Sequence, residues 1–205
     1  MVSFAEFLEN AAQKREFVNI LFEERVFELM GTLQRLSLPL EQAGVPHELV
    51  GGLAVFLHVE NADSTHSSLT RDIDIMIRRE DLPRVVAIAA DYGFRFRHSA
   101  GMDMLLFGDT NSARNAVHLL YEGEKVKATQ LESHPRIHPV RAALHGQDFQ
   151  VIPVLDLLRM KLSSWRDKDR VHVRGMDAAG LITSEVEQEL SAELLARLRH
   201  VRETE

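Results

Sequence analysis

Cysteine is absent from the 205 residues of the chain. Disulfide bonds and zinc sites built from thiolates are therefore excluded, and the composition fits a reducing compartment. No apolar stretch approaches the roughly 18 residues that a transmembrane helix needs. The first residues contain neither a basic start nor an apolar run, so we expect no signal peptide. We therefore expect a cytoplasmic protein without a membrane partner.

Positive charge is scarce overall and is concentrated in one segment. The chain has 24 Lys and Arg against 31 Asp and Glu, a formal net charge of −7, which argues against broad nonspecific binding of nucleic acid. Residues 136–174 nevertheless contain eight basic and four acidic residues, a local charge of +4. This segment favours a local surface that faces phosphate groups, and ordinary charge on helix surfaces is the equally open alternative.

Both ends of the chain show the apolar spacing of helices. Residues 1–45 are predicted to form an N-terminal helical extension, with helices over residues 4–14, 16–34 and 36–43. Residues 153–205 are predicted to form a C-terminal helical segment. In that segment Ser184-Glu185-Val186-Glu187 has the spacing of a capping box, which predicts one final helix ending near Arg199.

Residues 46–152 between these helical regions are the predicted core domain, since short apolar runs separated by turn residues are typical of strands. The predicted strands cover residues 47–50, 72–77, 94–98, 104–107, 116–121 and 148–152. Residues 130–146 carry scattered proline and histidine, and we expect them to be irregular. The 45% of apolar residues is sufficient for a buried core around such a sheet.

Two neighbouring features of the core domain carry polar chemistry. Gly51-Gly52 precedes a short predicted helix, where backbone N–H groups could approach an anion closely. Asp72 and Asp74 share one face of a strand and lie roughly 7 Å apart. Two such charges repel by about 2 kcal/mol at an effective dielectric constant near 20, and a divalent cation would turn this into attraction. The alternative is that Gly51-Gly52 forms an ordinary turn and that Asp72 and Asp74 lie on a solvated strand face.

The order of these features resembles a known family. Gly51-Gly52-Leu53-Ala54 followed by Leu69-Thr70-Arg71-Asp72-Ile73-Asp74-Ile75 looks like the nucleotidyltransferase fold, and is most similar to AbiEii-type and minimal nucleotidyltransferases. The resemblance implies an α+β, polymerase-β-like fold, in which a small mixed sheet is flanked by N- and C-terminal helices. It further implies that Gly51 and Gly52 hold the nucleotide phosphates, with Thr70 and Arg71 as further nucleotide-binding residues, and that Asp72 and Asp74 bind Mg²⁺ or Mn²⁺.

The C-terminal segment extends the resemblance. The stretch from Leu157 to Leu162, followed by Arg166-Asp167-Lys168-Asp169, is similar to a Leu-x-x-x-Lys-Leu stretch and an Arg-x-Lys-Asp motif of the family. The resemblance implies that Lys161 binds the triphosphate. It also implies that Asp169 is the acidic residue that the C-terminal part of the family contributes to the nucleotide site. The alternative is that these residues form surface ion pairs, each worth less than about 1 kcal/mol.

One position departs from the family pattern. Many nucleotidyltransferases carry a third carboxylate in a Val-Asp-Leu strand, where this chain has Val117-His118-Leu119. His118 could act as a third metal ligand, and Mn²⁺ accepts imidazole more readily than Mg²⁺ does. Alternatively, Glu122 or Glu124 supplies the missing oxygen, or His118 is a hydrogen-bonded, half-buried histidine.

Two functions of different classes follow from the resemblance. The first is a metal-dependent nucleotidyltransferase that moves a nucleoside monophosphate from a nucleoside triphosphate to a hydroxyl of RNA, a protein or a small molecule. The second is a catalytically degenerate protein of this fold that binds a nucleotide, tRNA or a partner protein, as in a toxin–antitoxin-like system. No preferred nucleotide, acceptor or oligomeric state follows from the sequence.

Overall fold

The computed structural model describes residues 4–67, 70, 72–108, 116–144 and 146–204, with side chains described from Phe22 onward. The strands are β1 His47–Val50, β2 Ile73–Ile77, β3 Phe94–Ser99, β4 Met102–Phe107, β5 Ala116–Tyr121, β6 Val140–Leu144 and β7 Gln147–Val151. The α-helices are α1 Phe4–Gln42, α2 Gly51–Ala62, α3 Leu82–Asp91, α4 Val154–Ser164, α5 Asp167–Ala178, α6 Ser184–Gln188 and α7 Ala192–Glu203. None of the described helices is long and apolar enough to cross a lipid bilayer.

All seven described strands belong to one mixed sheet in the order β3-β4-β5-β2-β1-β7-β6. At its centre, β2 pairs antiparallel with β1 and parallel with β5. This pairing places Val50, the last residue of β1, opposite Asp74, and it places His118 of β5 beside Asp74. The sheet therefore brings the end of β1, where the chain turns into α2, next to the polar face of β2. The α+β prediction is confirmed.

The apolar face of β2 anchors this arrangement. Ile73, Ile75 and Ile77 are buried, because alternate strand residues point to the same face of the sheet. Leu53 and Phe56 of α2 are likewise buried. Burying one such side chain contributes roughly 1.5–3 kcal/mol, so the strand and helix that carry the polar residues are fixed by packing.

The N-terminal region differs from its prediction. One continuous helix, α1, spans Phe4–Gln42, and the expected division into three helices is wrong. Pro39 lies inside this helix instead of opening a new one. A proline normally breaks a helix because it lacks an N–H group. Here Leu36 and Leu40 on either side are completely buried, and their packing keeps the last turn helical.

Two further segments correct the sequence prediction. The segment expected to be irregular contains β6, which pairs antiparallel with β7. The single final helix is in fact two helices, α6 and α7. Thr183 is the N-cap of α6, because its hydroxyl accepts a hydrogen bond from the Val186 N–H at 3.4 Å. Ser184 is consequently the first helical residue and not the cap.

Candidate functional site

The turn from β1 into α2 requires glycine at both of its positions. Gly51 has a positive φ of 74°, and a Cβ built on it would lie 2.0 Å from Asp74 Oδ2. A Cβ on Gly52 would lie 2.6 Å from Thr70 Oγ1 and 3.2 Å from Cε1 of His172. The backbone of the turn therefore touches three polar side chains. No side-chain hydrogen bond caps this end of α2, so its first N–H groups remain available.

Asp74 and His118 form a pair on the face of the sheet next to this turn. The Nδ1 atom of His118 lies 3.2 Å from Asp74 Oδ1, and both side chains are largely buried. This hydrogen bond raises the pKa of His118 against the opposing effect of burial. Burial favours a higher pKa for Asp74, but the His118 hydrogen bond and the nearby Lys161 hold the pKa of that carboxyl below its usual range. Asp74 is therefore an ionised carboxylate that an imidazole orients.

Asp72 lies one residue before β2 and is partly exposed. Its charge contributes to raising the pKa values of both His118 and Arg166, so it faces the same space as Asp74. Among the described residues, no hydrogen bond or ion pair involves its carboxylate. Of the residues that the sequence singled out, Gly51, Gly52, Thr70, Asp72, Asp74 and His118 lie together. Arg71 lies outside the described residues.

Glu122 and Glu124, the alternative sources of a third oxygen, do not reach this place. They follow the end of β5, whereas His118 lies near its start. At about 3.3 Å per strand residue, Glu122 is roughly 13 Å from His118 along the strand. Glu122 pairs with Arg78 at 3.3 Å and Glu124 pairs with Arg79 at 2.6 Å. Both carboxylates therefore belong to the opposite end of the sheet.

A buried cluster of opposite charges lies on the helical side of the site. Asp169 of α5 is completely buried, and its Oδ1 atom lies 3.4 Å from Nζ of Lys161 on α4. Arg166 donates to both carboxylate oxygens, with Nε 2.7 Å from Oδ2 and a terminal nitrogen 3.1 Å from Oδ1. Burial favours a higher pKa for Asp169, but Arg166 and Lys161 lower that pKa to about 2. Burial also lowers the pKa of Lys161, which is only 4% exposed.

The turn between α4 and α5 holds this cluster in place. Trp165 ends α4 in the left-handed region, with a φ of 57°, which is uncommon for a residue other than glycine. The guanidinium carbons of Arg197 and Arg170 lie 5.0 Å and 5.6 Å from the centre of its ring. Packing of α7 and α5 against the indole therefore fixes the position from which Arg166 reaches Asp169.

Two residues to which the sequence assigned no individual role also lie near the site. Lys168 of α5 is exposed, and its charge acts on Asp74, His118 and His172. His172 lies one helical turn further along α5, beside Gly52. The spacing of four residues, which puts both side chains on one helix face, is the signal that could have identified them. His172 is therefore adjacent to the glycine turn, and Lys168 adds a positive charge near Asp74 and His118.

The donor atoms fit a magnesium or manganese ion bound through two carboxylates. Among the described residues, no group of three or more His, Asp or Glu side chains is arranged to hold a metal. His118 also uses Nδ1 for Asp74. Mg²⁺, however, is commonly held by one or two carboxylates, with waters and substrate phosphates completing its octahedron. Asp72 and Asp74 beside the uncapped start of α2 match that requirement, whereas His118 is a partner of Asp74.

Two surface depressions lie elsewhere. One, of about 560 Å³, is lined by residues of α1, α3, β3 and β4, including Arg35, Tyr92 and Phe107. The other, of about 400 Å³, lies beyond the end of β2 and is lined by Arg78, Arg79 and Arg136, among others. Neither depression contains any of the residues proposed for the site.

Comparison with known proteins identifies the fold. No protein-family model matches the sequence, and no curated protein matches it. The solution structure of the antibiotic-resistance factor ANT(2'')-Ia is similar at a TM-score of 0.53 and 12% identity, over 88% of this chain and 93% of that chain. The crystal structure of ANT(2'')-Ia in complex with adenylyl-2''-tobramycin gives a TM-score of 0.53 and 14% identity, over 82% and 94%.

A third similar structure is an antigenic nucleotidyltransferase-like protein from Paracoccidioides brasiliensis. Its TM-score is 0.56 at 15% identity, over 86% of this chain and 88% of that chain. At such low identities these likenesses concern the fold alone. The chain therefore adopts the nucleotidyltransferase fold, as the resemblance in its sequence implied.

Proposed function

We propose that the protein is a metal-dependent nucleotidyltransferase, which transfers a nucleoside monophosphate from a nucleoside triphosphate to a hydroxyl group of an acceptor. The observation that supports this most directly is the close approach of Asp74 to the glycine turn on this fold, since a Cβ on Gly51 would lie only 2.0 Å from Asp74 Oδ2. A phosphate held by the N–H groups of the turn would lie directly beside the carboxylate. The reaction needs this proximity of phosphate and metal ligand.

Each of the proposed residues has a distinct role. Gly51 and Gly52 would bind phosphate oxygens through backbone N–H groups, and the N-terminus of α2 would add its dipole. Asp72 and Asp74 would hold Mg²⁺ or Mn²⁺, which neutralises the charge that develops on the phosphate and leaving oxygens. The Thr70 hydroxyl, next to Gly52, is a further donor to the nucleotide.

The residues that bind phosphate and metal would be supported by three others, His118, Lys161 and Asp169. His118 fixes the orientation of Asp74 through their hydrogen bond. Lys161 acts electrostatically on Asp74 and would counter the charge of the triphosphate from its buried position beside Asp169. Asp169 fixes Lys161 and Arg166. In this proposal Lys161 and Asp169 remain residues of the nucleotide site, Lys161 through its charge and Asp169 by positioning Lys161 and Arg166.

The proposals for the subfamily and the acceptor rest on separate observations. The order of the glycine pair and the motif from Thr70 to Asp74 supports a relationship to the AbiEii-type and minimal nucleotidyltransferases. One similar structure holds an adenylylated small molecule, adenylyl-2''-tobramycin, which supports transfer to a hydroxyl of a small molecule as one option on this fold. RNA and protein hydroxyls are the other acceptor classes.

A transfer assay with matched aspartate variants tests the proposal. Purified protein is incubated with each of four α-labelled nucleoside triphosphates, with Mg²⁺ or Mn²⁺, and with tRNA, cell-extract protein or small metabolites as acceptors. We expect Asp74→Asn to lower transfer more than about a hundredfold, because a metal ion contributes several kcal/mol to the transition state. The control Asp148→Asn removes an exposed carboxylate of β7 and should leave the rate unchanged. Asp74→Asn with the wild-type rate would exclude the proposed mechanism.

A binding protein without transferase activity is the second candidate, and His118 is the observation that favours it. An imidazole in hydrogen-bond contact with Asp74 stands where many nucleotidyltransferases have a carboxylate. Its raised pKa favours a positive charge beside Asp72 and Asp74, which would weaken cation binding there. Calorimetry with ATP and GTP, with and without Mg²⁺, separates the candidates. Tight binding that ignores the metal, together with no transfer, supports the binding protein.

A further inference from the structure

The proposed function leaves His172 without a role, although this side chain lies directly against the glycine turn. Its Cε1 atom is 3.2 Å from the position that a Cβ of Gly52 would occupy, and Thr70 Oγ1 is 2.6 Å from the same point. The imidazole and the hydroxyl therefore meet over the backbone of Gly52. Both side chains would flank any anion that the N–H groups of the turn bind.

The two ring nitrogens of His172 have different surroundings. Nδ1 is buried and has no hydrogen-bond partner among the described residues. A buried N–H without an acceptor is costly, so the proton of a neutral imidazole belongs on Nε2. Both ring nitrogens are bonded to Cε1, the ring atom nearest to the place that a Cβ of Gly52 would occupy. With the proton on Nε2, a hydrogen-bond donor lies one bond away from the ring atom that faces Gly52.

The charges around His172 favour a neutral ring that faces an anion. The charges of Lys161 and Lys168 act on the imidazole of His172, and so do the charges of the Arg166–Asp169 ion pair. Burial and the cation of Lys161 lower the pKa of His172 to about 4. The ring is therefore a neutral donor within a positively charged wall, and such a wall attracts phosphate.

We propose that His172 is a nucleotide-binding residue, which donates a hydrogen bond from Nε2 to a phosphate oxygen of the triphosphate held at Gly51 and Gly52. This inference rests on the proposed function, because it assumes that the turn binds a nucleoside triphosphate. It assigns to α5 a direct contact with the nucleotide. The contact depends on a donor atom and not on a charge, so a neutral amide of the same reach should replace it.

Binding measurements on three proteins test the assignment. Titration calorimetry with each nucleoside triphosphate and Mg²⁺ compares the wild type with His172→Phe and His172→Gln. Phenylalanine keeps the ring and removes both nitrogens, and we expect it to weaken binding about tenfold or more, the effect of one hydrogen bond to a charged acceptor. Glutamine places an amide N–H near the position of Nε2 and should stay within about threefold of the wild type.

The matched control is His134→Gln. His134 is also buried, its pKa is also lowered by burial, and Nδ1 lies 2.9 Å from the Tyr121 carbonyl oxygen, far from the glycine turn. We expect this variant to bind nucleotide like the wild type. Competition by inorganic tripolyphosphate then identifies the contacted group, because His172→Phe should weaken this competitor by the same factor. Equal competition in both proteins would overturn the phosphate assignment.

The outcomes separate this inference from the proposed function. A wild type that binds none of the four triphosphates overturns both. A wild type that binds nucleotide while His172→Phe binds equally well overturns the inference alone. If His172→Phe does not fold, ¹⁵N resonances of the wild-type imidazole provide the same test. We expect the Nε2–H tautomer in the free protein and a shift of the Nε2 resonance when nucleotide binds, and an unchanged resonance would refute the contact.

Discussion

Glu48 on β1 and Asp169 on α5 are both completely buried, but only Asp169 has cationic side chains bonded to its carboxylate. Asp169 is held by Arg166 and Lys161, and its pKa falls to about 2. Glu48 accepts one hydrogen bond from the His138 N–H at 3.2 Å, and its Oε1 atom has no partner among the described residues. Burial raises the pKa of Glu48 to about 7. Equal burial thus accompanies opposite proton affinities.

The difference shows which part of the molecule is built to hold charge. The helical side of the site supplies cations before any ligand arrives, so its buried carboxylate stays ionised at neutral pH. The strand that leads into the glycine turn supplies none, and its carboxyl group retains a proton under conditions in which an exposed glutamate would be ionised. Three substitutions test this contrast.

Replacing Asp169 should have the largest effect. We expect Asp169→Ala to lower the free energy of unfolding by about 3–5 kcal/mol at pH 7, because it leaves Lys161 buried without its partner. The contribution of an acid with a depressed pKa is present above pH 4 and is lost as the pH falls through about 2. Urea unfolding at pH 7 and pH 3 measures it. A loss below about 1 kcal/mol at pH 7 would show that Lys161 does not depend on Asp169 as the partner of its buried charge.

Replacing Glu48 should have a smaller effect of opposite sign. The folded-state pKa of Glu48 is raised to about 7, so its contribution to stability is complete below pH 4.5 and is lost as the pH rises through 7. Glu48→Gln removes this titration. We expect the variant to gain about 3 kcal/mol relative to the wild type between pH 4 and pH 8.

The pH dependence of this gain is the decisive measurement, taken from urea unfolding of both proteins at the two pH values. Glu41→Gln is the control, because Glu41 is partly exposed and pairs with Arg141 at 3.2 Å. Its effect should remain within about 0.5 kcal/mol at both pH values. A gain for Glu48→Gln that does not change with pH would contradict the account of a protonated buried acid.

The smallest effect is expected for Arg166→Lys. Lysine keeps the charge but cannot donate to both oxygens of Asp169, and Lys161 remains as a partner. We expect a loss of about 1 kcal/mol in the free energy of unfolding. Arg141→Lys is the matched control, since Arg141 also bonds both oxygens of a carboxylate, that of Glu41, but its side chain is 58% exposed and such pairs contribute little. Equal losses in both variants would mean that bidentate bonding to Asp169 is unimportant.

The elements that carry the site could be predicted because their patterns are local. β2 and β5 are short apolar runs, and the pair Gly51-Gly52 marks the start of α2. β6 could not be found in this way, because its sequence contains two alanines, which favour strands weakly. Its strand conformation depends on pairing with β7. The continuity of α1 through Pro39 likewise depends on tertiary packing, which outweighs the local preference.

The site itself could be predicted where neighbouring strands carry it. Gly51 and Asp74 follow from the order of motifs, since β1 and β2 pair directly. The pairing of buried Lys161 with Asp169 depends on how α4 packs against α5. The approach of His172 to Gly52 depends on how α5 packs against α2, an element that is distant in the sequence. The spacing of apolar residues along the chain predicts helices and strands, but it does not predict how helices that are distant in the sequence pack together. The sequence could therefore suggest Lys161 as a cation of the site, but not that Asp169 encloses it.

Trp165 is the only tryptophan of the chain, and this gives the α4–α5 turn a spectroscopic use. Two guanidinium groups lie close to its indole, and the next residue is Arg166. Indole emission responds to nearby charge, so the tryptophan emission of the protein reports on this one turn. A change in the charge or position of Arg166 can be followed in the emission of Trp165 without attaching any label to the protein.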